Sequence, residues 1–222
     1  PYYLAEGLRC CEEALKIKLQ VEAIVVEESF DQSLLPELAS EDFSTASTKD
    51  FREMAQTENP QGVMMLIERP KMDEIAFSDP FTLVLDGVGE PGNMGTILRT
   101  AKAIGLTEVI LTRGSVDPFN AKSVRSGMGA QFSLDILIVE SLAELKSSER
   151  FQDKHFWLTT PHDGTSCYSD AFTLAGNVLV MGAEANGIED FSVGEKVRIP
   201  MPGGSESLNV AQAATIFLFE GV

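Results

Sequence analysis

From Phe81 to its end the chain alternates short apolar runs with helical patterns, strand then helix then strand. No other feature constrains the fold as strongly, because strands joined by helix-length connections pair in parallel and bury both faces of their sheet. The apolar runs predict strands at 82–85, 108–111, 136–139, 156–159, 177–181 and 196–199, with helices at 94–104, 121–128, 142–150 and 208–220. An α/β class with a parallel sheet follows. Upstream, helical spacing from Leu8 to Lys18 and an apolar run at Val21–Val26 begin a small αβ unit. A polar stretch at 31–48, a short helix near 50–57 and a strand at 62–67 complete it. Pro70 to Pro80 is bracketed by prolines and reads as a linker. We therefore divide the chain into a small αβ unit (1–72), a linker (73–80) and a larger α/β domain (81–222).

With 34 acidic and 17 basic side chains the net charge is −17, which excludes a histone-like or polybasic membrane-surface protein. A content of 44% hydrophobic and 23% charged residues excludes a disordered chain. No apolar run approaches the roughly 18–20 residues that cross a bilayer, and no signal-peptide pattern opens the chain, so no membrane association and a cytoplasmic or organellar location are expected. The sequence starts at Pro1 almost inside its first element, and a preceding segment is expected. Cys10, Cys11, Cys167, His155 and His162 have neither disulfide parity nor metal-ligand spacing, so no metal site is predicted. Charge is uneven: Arg99, Lys102, Arg113, Lys122 and Arg125 lie in a stretch whose carboxylates are Glu108 and Asp117. Such a patch can hold phosphates in an acidic protein, and it can equally be a solvated helix face.

Three segments carry candidate chemistry. The first, LDGVGEPGNMGTILRTAKAIG (85–105), holds a G-x-G-x-x-G at Gly87, Gly89 and Gly92 between a strand and a helix, the context of a dinucleotide loop. A Rossmann oxidoreductase binding NAD(P) is one reading. Pro91 interrupts that loop, Asn93 stands where a helix N-cap is expected, and Asn93-x-Gly95-x-x-x-Arg99 has no role in a nucleotide loop. In the second, LVMGAEANGIED (179–190), a strand ends in Gly182 and releases Glu184 into a turn closed by Gly187. A carboxylate at the C-terminal end of a parallel strand lies where ligands bind in open α/β sheets, though a surface turn explains it as well. In the third, a strand ends at Ile199-Pro200-Met201, a glycine pair follows, and Ser207-Leu208-Asn209 opens an alanine-rich helix.

In that order, Asn93-x-Gly95-x-x-x-Arg99, Gly182-x-Glu184-x-x-Gly187, and Ile199-Pro200-Met201 with Ser207-Leu208-Asn209 closely resemble the three motifs of the SpoU (TrmH-like) branch of the SPOUT RNA 2′-O-ribose methyltransferases. The resemblance spans about residues 81–222, and the first 70 or so resemble the ribosomal-protein-like αβ RNA-binding domain that many members carry. It implies a SPOUT-type parallel sheet whose C-terminal part forms a deep trefoil knot. It also implies transfer of a methyl group from S-adenosylmethionine to a ribose 2′-hydroxyl, in ribosomal RNA rather than tRNA given the N-terminal unit. By analogy Thr159, Thr160, Gly182, Ile199, Met201 and Leu208 surround the cofactor, with Ala183 nearby, and Asn93, Arg99, Glu184, Ser207 and Asn209 form the catalytic set.

The resemblance puts Arg99 at the 2′-oxygen, where it has been regarded as a base. A guanidinium does not readily give up its proton, so we assign Arg99 to anchoring phosphate and stabilising alkoxide character, while a phosphate oxygen or water accepts the proton. Asn93 and Asn209 would orient Arg99 and the ribose, Glu184 would fix one of them, and Ser207 would cap the last helix. Lys122 and Arg125 align with a segment that faces RNA phosphates; where many relatives have serine, this chain has Gly127. The resemblance further implies a homodimer through the knot region. A catalytically silent RNA-binding assembly factor is the alternative from another class.

Overall fold

The computed structural model describes residues 1–73, 75–183, 186–188 and 190–221. The small unit runs β1 (Tyr2–Glu6), α1 (Leu8–Lys16), β2 (Val21–Glu27), β3 (Ser44–Ala46), α2 (Thr48–Met54) and β4 (Val63–Glu68). Its sheet has the order β1-β4-β2-β3, antiparallel except for the β2–β3 pair. The apolar spacing of α1 puts Cys10, Cys11 and Ala14 on the buried side. All three cysteines are buried and free, as small hydrophobes. Strand β1 is absent from the sequence reading because five residues at the start of the chain give too short an alternation to register.

The larger unit continues β5 (Thr82–Asp86), α3 (Pro91–Ala103), β6 (Glu108–Thr112), α4 (Ala121–Gly127), β7 (Asp135–Val139), α5 (Leu142–Ser147), β8 (Phe156–Thr159), β9 (Thr165–Ser166), β10 (Val178–Gly182), β11 (Glu195–Arg198) and α6 (Val210–Glu220). Its seven strands lie in the order β7-β6-β5-β10-β8-β11-β9, every neighbouring pair parallel. Alternation along the strands feeds two apolar layers. Leu83, Leu85, Leu179 and Met181 pack with Met94, Ile97, Leu98, Ala214 and Phe217 of α3 and α6, while Val84, Ile110 and Val180 pack with Leu142 and Leu145 of α5. The predicted strands and helices of this region agree with these elements to within a few residues, and α5 is the one shortened most, ending at Ser147.

The two sheets share a core. Tyr3 stacks at 4.8 Å from Phe119 and 5.7 Å from Phe132, and the Cys10 thiol donates to the Val124 carbonyl at 3.7 Å. Arg69 pairs with Asp117, and Lys102 of α3 with Glu13 of α1. The segment expected to be a plain linker also covers the larger sheet. Asp79 accepts from the amides of Thr107 and Glu108, Ser78 donates to buried Glu108, and Ile75 and Phe77 join the α5-side layer.

Helices α3 and α4 meet backbone to backbone. A Cβ added to Gly95 would lie 2.1 Å from Ser126 Oγ and 2.2 Å from the Ser123 carbonyl, and one on Gly127 would meet Gln131 Oε1 at 2.6 Å. Gly127, the departure from the family pattern, is thus packed against α3 and Gln131. Gly95→Ala should lower the melting temperature by about 2–12 °C, from roughly 1–3 kcal/mol of overpacking. Gly203→Ala, with nothing within 4 Å of the added Cβ, should leave it unchanged. Thermal melts followed by circular dichroism distinguish the two, and equal melting of Gly95→Ala and the parent would overturn the close-packing account.

Candidate active site

The C-terminal ends of β8, β10 and β11 open into one cavity of about 550 Å³. Each wall follows from a local constraint. Thr159 ends β8 with its hydroxyl donating to the Val180 carbonyl at 2.9 Å, and the Thr160 amide donates to the Val197 carbonyl at 2.9 Å, so β8 and its neighbours hold the rim. Gly182 ends β10 where the chain folds back on itself. The Gly187 amide donates to the Ala183 carbonyl at 2.9 Å, and a Cβ on Gly182 would sit 2.6 Å from Gly187 C and Ile188 N. Only glycine allows that approach. Gly187 itself has a φ of +65°, which the tight return requires. Beyond β11, residues 199–209 cross the cavity and deliver Ile199, Met201, Ser207 and Leu208 to it before α6 begins.

Asn209 organises the far wall. Its Oδ1 accepts from the amides of Ala211 and Gln212, capping α6, while its Nδ2 donates to Asn93 Oδ1 on α3 at 2.9 Å. Further along the same helix pair the hydroxyls of Thr100 and Thr215 lie 3.4 Å apart. The expectation that Ser207 caps the last helix is therefore corrected. The helix starts at Val210, and Asn209 occupies the cap with a side chain long enough to serve two amides and a neighbour at once.

Asn93 is likewise not a cap. Helix α3 begins at Pro91, whose fixed φ suits a first helical position, and Glu90 is the N-cap, accepting from the Asn93 amide at 2.8 Å. Lys122 pairs with the same carboxylate and, with the amides of Asn93 and Gly92, holds it below the usual carboxylate range. Because this folded-state value is lowered, the stabilisation from Glu90 is present at neutral pH and fades as pH falls through the acid range. The glycine-rich loop thus ends on a helix start already filled by the protein's own anion. A dinucleotide pyrophosphate needs that position, so the Rossmann reading is set aside.

All six residues expected around a cofactor, Thr159, Thr160, Gly182, Ile199, Met201 and Leu208, line the one cavity, as do Ser207 and Asn209. Asn93 joins them through Asn209. Arg99 stands apart, on the exposed surface of α3 and outside the cavity walls, with no ion pair among the described residues. Glu184 lies outside the described residues. Of the basic cluster seen in the sequence, Lys102, Arg113 and Lys122 pair with Glu13, Glu140 and Glu90. Sequence reasoning missed Val210, Ala213 and Phe217, which form the apolar side of the cavity from α6, because they read as ordinary core. Among the described residues no group of three His, Cys, Asp or Glu is gathered as a metal site.

Residues 80–219 match the SpoU rRNA Methylase family. The chain belongs to that family. Residues 2–65 separately match an MRM3-like substrate binding domain. The 23S rRNA (guanosine(2553)-2′-O)-methyltransferase RlmP of Bacillus subtilis is 31% identical, over 98% of this chain and 87% of its own length. The human mitochondrial rRNA methyltransferase 3 is 28% identical over 78% of this chain, and the match spans 55% of that longer protein. The AdoMet-bound rRNA methyltransferase of Sinorhizobium meliloti superposes with a TM-score of 0.81 at 28% identity, over 99% of this chain and 86% of its own.

Separating the two roles of Asn209 takes two variants. Asn209→Ala should lose about 1 kcal/mol of capping and about 2–4 °C of melting temperature, whereas Asn209→Ser keeps a cap acceptor and should lose less than half of that. Equal melting of the two would shift the stabilising role from the cap to the bond with Asn93.

Proposed function

We propose that this protein transfers a methyl group from S-adenosylmethionine to a ribose 2′-hydroxyl of ribosomal RNA. One observation carries the reading: three strand ends and the segment before α6 converge on a single cavity whose wall is hydrogen-bonded, through Asn209, to the helix bearing Asn93 and Arg99. Membership of an rRNA methylase family and a relative named for a 23S rRNA guanosine favour ribosomal RNA over tRNA.

The cavity fits the cofactor. Its volume of about 550 Å³ suits a nucleoside joined to an amino acid, and its walls combine apolar side chains with main-chain and hydroxyl groups. Thr159, Thr160 and Gly182 would hold it from the strand ends, and Ile199, Met201 and Leu208 from the segment that follows β11. When bound, S-adenosylmethionine supplies a methyl group on a sulfonium sulfur, a leaving group that needs no acid. The task of the protein therefore lies at the nucleophile. In the displacement a carbon–oxygen bond forms as the carbon–sulfur bond breaks, and the hydroxyl proton passes to a phosphate oxygen or water. Arg99 grips the neighbouring phosphate and stabilises negative charge developing on the 2′-oxygen. Asn93 and Asn209 orient the ribose, Glu184 fixes one of these groups, and Ser207 contacts cofactor or RNA. Lys122 and Arg125 meet RNA phosphates, Lys122 by exchanging its Glu90 partner.

Supporting a deep trefoil knot, β10 inserts between β5 and β8, β11 lies beyond β8, and the chain then returns to lay α6 against α3 and β10. The small unit acts as the RNA-binding domain, for which its match to a substrate binding domain speaks. A homodimer through the knot region is supported by α6, where Phe219 is 57% exposed beside buried Phe217 and Leu218. Such a pairing also accounts for an Arg99 that stands outside the cavity of its own chain. Bacterial and mitochondrial relatives support a cytoplasmic or organellar compartment.

Mapping 2′-O-methyl positions in ribosomal RNA from cells with and without the gene should reveal one site lost in its absence; an unchanged map would overturn the reading. In the purified protein Arg99→Lys should lower kcat by about 10²-fold or more, since a lysine cannot reproduce the guanidinium fork, while S-adenosylmethionine affinity stays constant. Activity retained with a lowered pH optimum would instead make Arg99 a true base.

A further inference from the structure

We infer that the groove between the small unit and α4 is a second RNA subsite, holding a nucleotide remote from the methylated ribose with its phosphate between Arg9 and Arg125. The proposal rests on the RNA-methylating function above and specifies where else that RNA is gripped. The groove has a volume of about 280 Å³ and takes its walls from both units: Arg9 and Cys10 of α1, Asn59 and Gln61 of the loop before β4, and Arg125 of α4 with Met128 just past it. Glu6 of β1 also lines it, a buried carboxylate already engaged by the Gln56 amide and the Thr57 hydroxyl.

Chemistry favours a polyanion with a polar, flat appendage. Arg125 is exposed and forms no ion pair among the described residues. Its charge reaches into the groove, where it opposes the burial that pushes the Cys10 thiol up to about 11. Arg9 is 74% exposed and spends one nitrogen on Glu12, leaving most of its fork available. Two guanidiniums from different units facing one cleft repel each other in the free protein, and a phosphate between them removes that repulsion. Asn59 is exposed and offers both donor and acceptor, the pair that reads a base edge. Gln61 has its Oε1 engaged by the Leu8 amide at 3.0 Å and presents its remaining amide beside it. Met128, 38% exposed and held at a φ of +51° just past α4, offers a polarisable apolar surface against which a base can lie.

Position connects the groove to the reaction. Helix α1 is tied to α3 by the Glu13–Lys102 ion pair and to α4 by the Cys10 thiol, which donates to the Val124 carbonyl. Arg125 is one turn from Lys122, which meets the Glu90 cap of α3, and Arg99 is one turn from Lys102 on α3. An RNA strand reaching the groove from Arg99 would pass Lys122, whose Glu90 partner it would have to displace, before meeting Arg125. A chain with a net charge of −17 needs such concentration of positive charge to hold RNA at all.

The test uses the full chain and unmethylated ribosomal RNA purified from cells lacking the gene. Binding and methyl transfer are measured across a salt series for the parent and for the double variant Arg9→Gln with Arg125→Gln. A charge-matched control, Arg150→Gln with Lys154→Gln, lies on the α5 side of the sheet, and circular dichroism checks that all three are folded. The groove variant should raise Kd and KM for RNA by about 5–20-fold and flatten the plot of log Kd against log salt by about one, with kcat at saturating RNA within about twofold and S-adenosylmethionine affinity unchanged. Asn59→Ala should raise KM alone. RNA affinity and salt slope equal to those of the parent, or a control that loses as much as the groove variant, would overturn the subsite while leaving the methyltransferase reading intact. A parent protein that methylates no ribosomal RNA would remove both.

Discussion

The hydrogen bond from Asn209 to Asn93, 2.9 Å long, joins the last helix to the helix that bears Arg99, and the geometry of the site depends on it. Asn209 is also the cap of α6, so the residue that starts the helix is the one that registers it against α3. The cavity lies directly in front of that cap, between it and the ends of three parallel strands. Moving either helix would therefore move the cavity wall and the groups at its mouth together. An asparagine suits both tasks because its amide carries an acceptor for the helix and a donor for the neighbour.

Close approach of main chain recurs wherever the fold must bring distant segments together. Gly182 lets the end of β10 pass against residues 187 and 188, and Gly95 lets α3 rest on the backbone of α4. The first approach shapes the cavity; the second seats α4 so that Lys122 reaches Glu90. In both places a methyl group would occupy space already filled by peptide atoms, so the glycines contribute by what they leave out. The same economy holds at Gly127, where an added Cβ would meet Gln131 Oε1 and the Gly95 carbonyl.

The strand–helix rhythm after Phe81 was legible because the central strands β5, β6, β8 and β10 are buried on both faces and read as apolar runs, whereas β9, Thr165–Ser166, lies at the sheet edge and carries no such signal. Of the three motifs, the second and third deliver Gly182, Ile199, Met201, Ser207, Leu208 and Asn209 to the cavity, while Arg99 of the first lies outside its walls and Thr159 and Thr160 were reached through the family resemblance. Less was visible where partners are distant in sequence. Nothing near Asn93 announces that Glu90 three residues earlier takes the cap, because Lys122, its partner, lies 32 residues downstream of it. Nor could spacing show that the supposed linker caps β6 through Asp79, or that Tyr3 of an unseen strand stacks on Phe119. The basic cluster was read as a unit, and the fold divides it: three cations are paired with carboxylates that composition alone could not assign to them.

That division turns the acidity of the chain from a difficulty into a selection rule. A carboxylate paired with Lys102, Arg113 or Lys122 cancels its field at the distances over which RNA approaches, since salt screens the remainder beyond about 10 Å. Arg99 and Arg125 form no such pairs among the described residues, and they stand on α3 and α4, which pack against each other. On the RNA path proposed above, Arg99 and Arg125 offer unneutralised positive charge to a polyanion that the net charge otherwise repels, and that path passes the helix carrying Arg99. Net negative charge thereby sharpens placement at the expense of overall affinity, which is the balance an enzyme needs when it must choose one ribose within a long RNA.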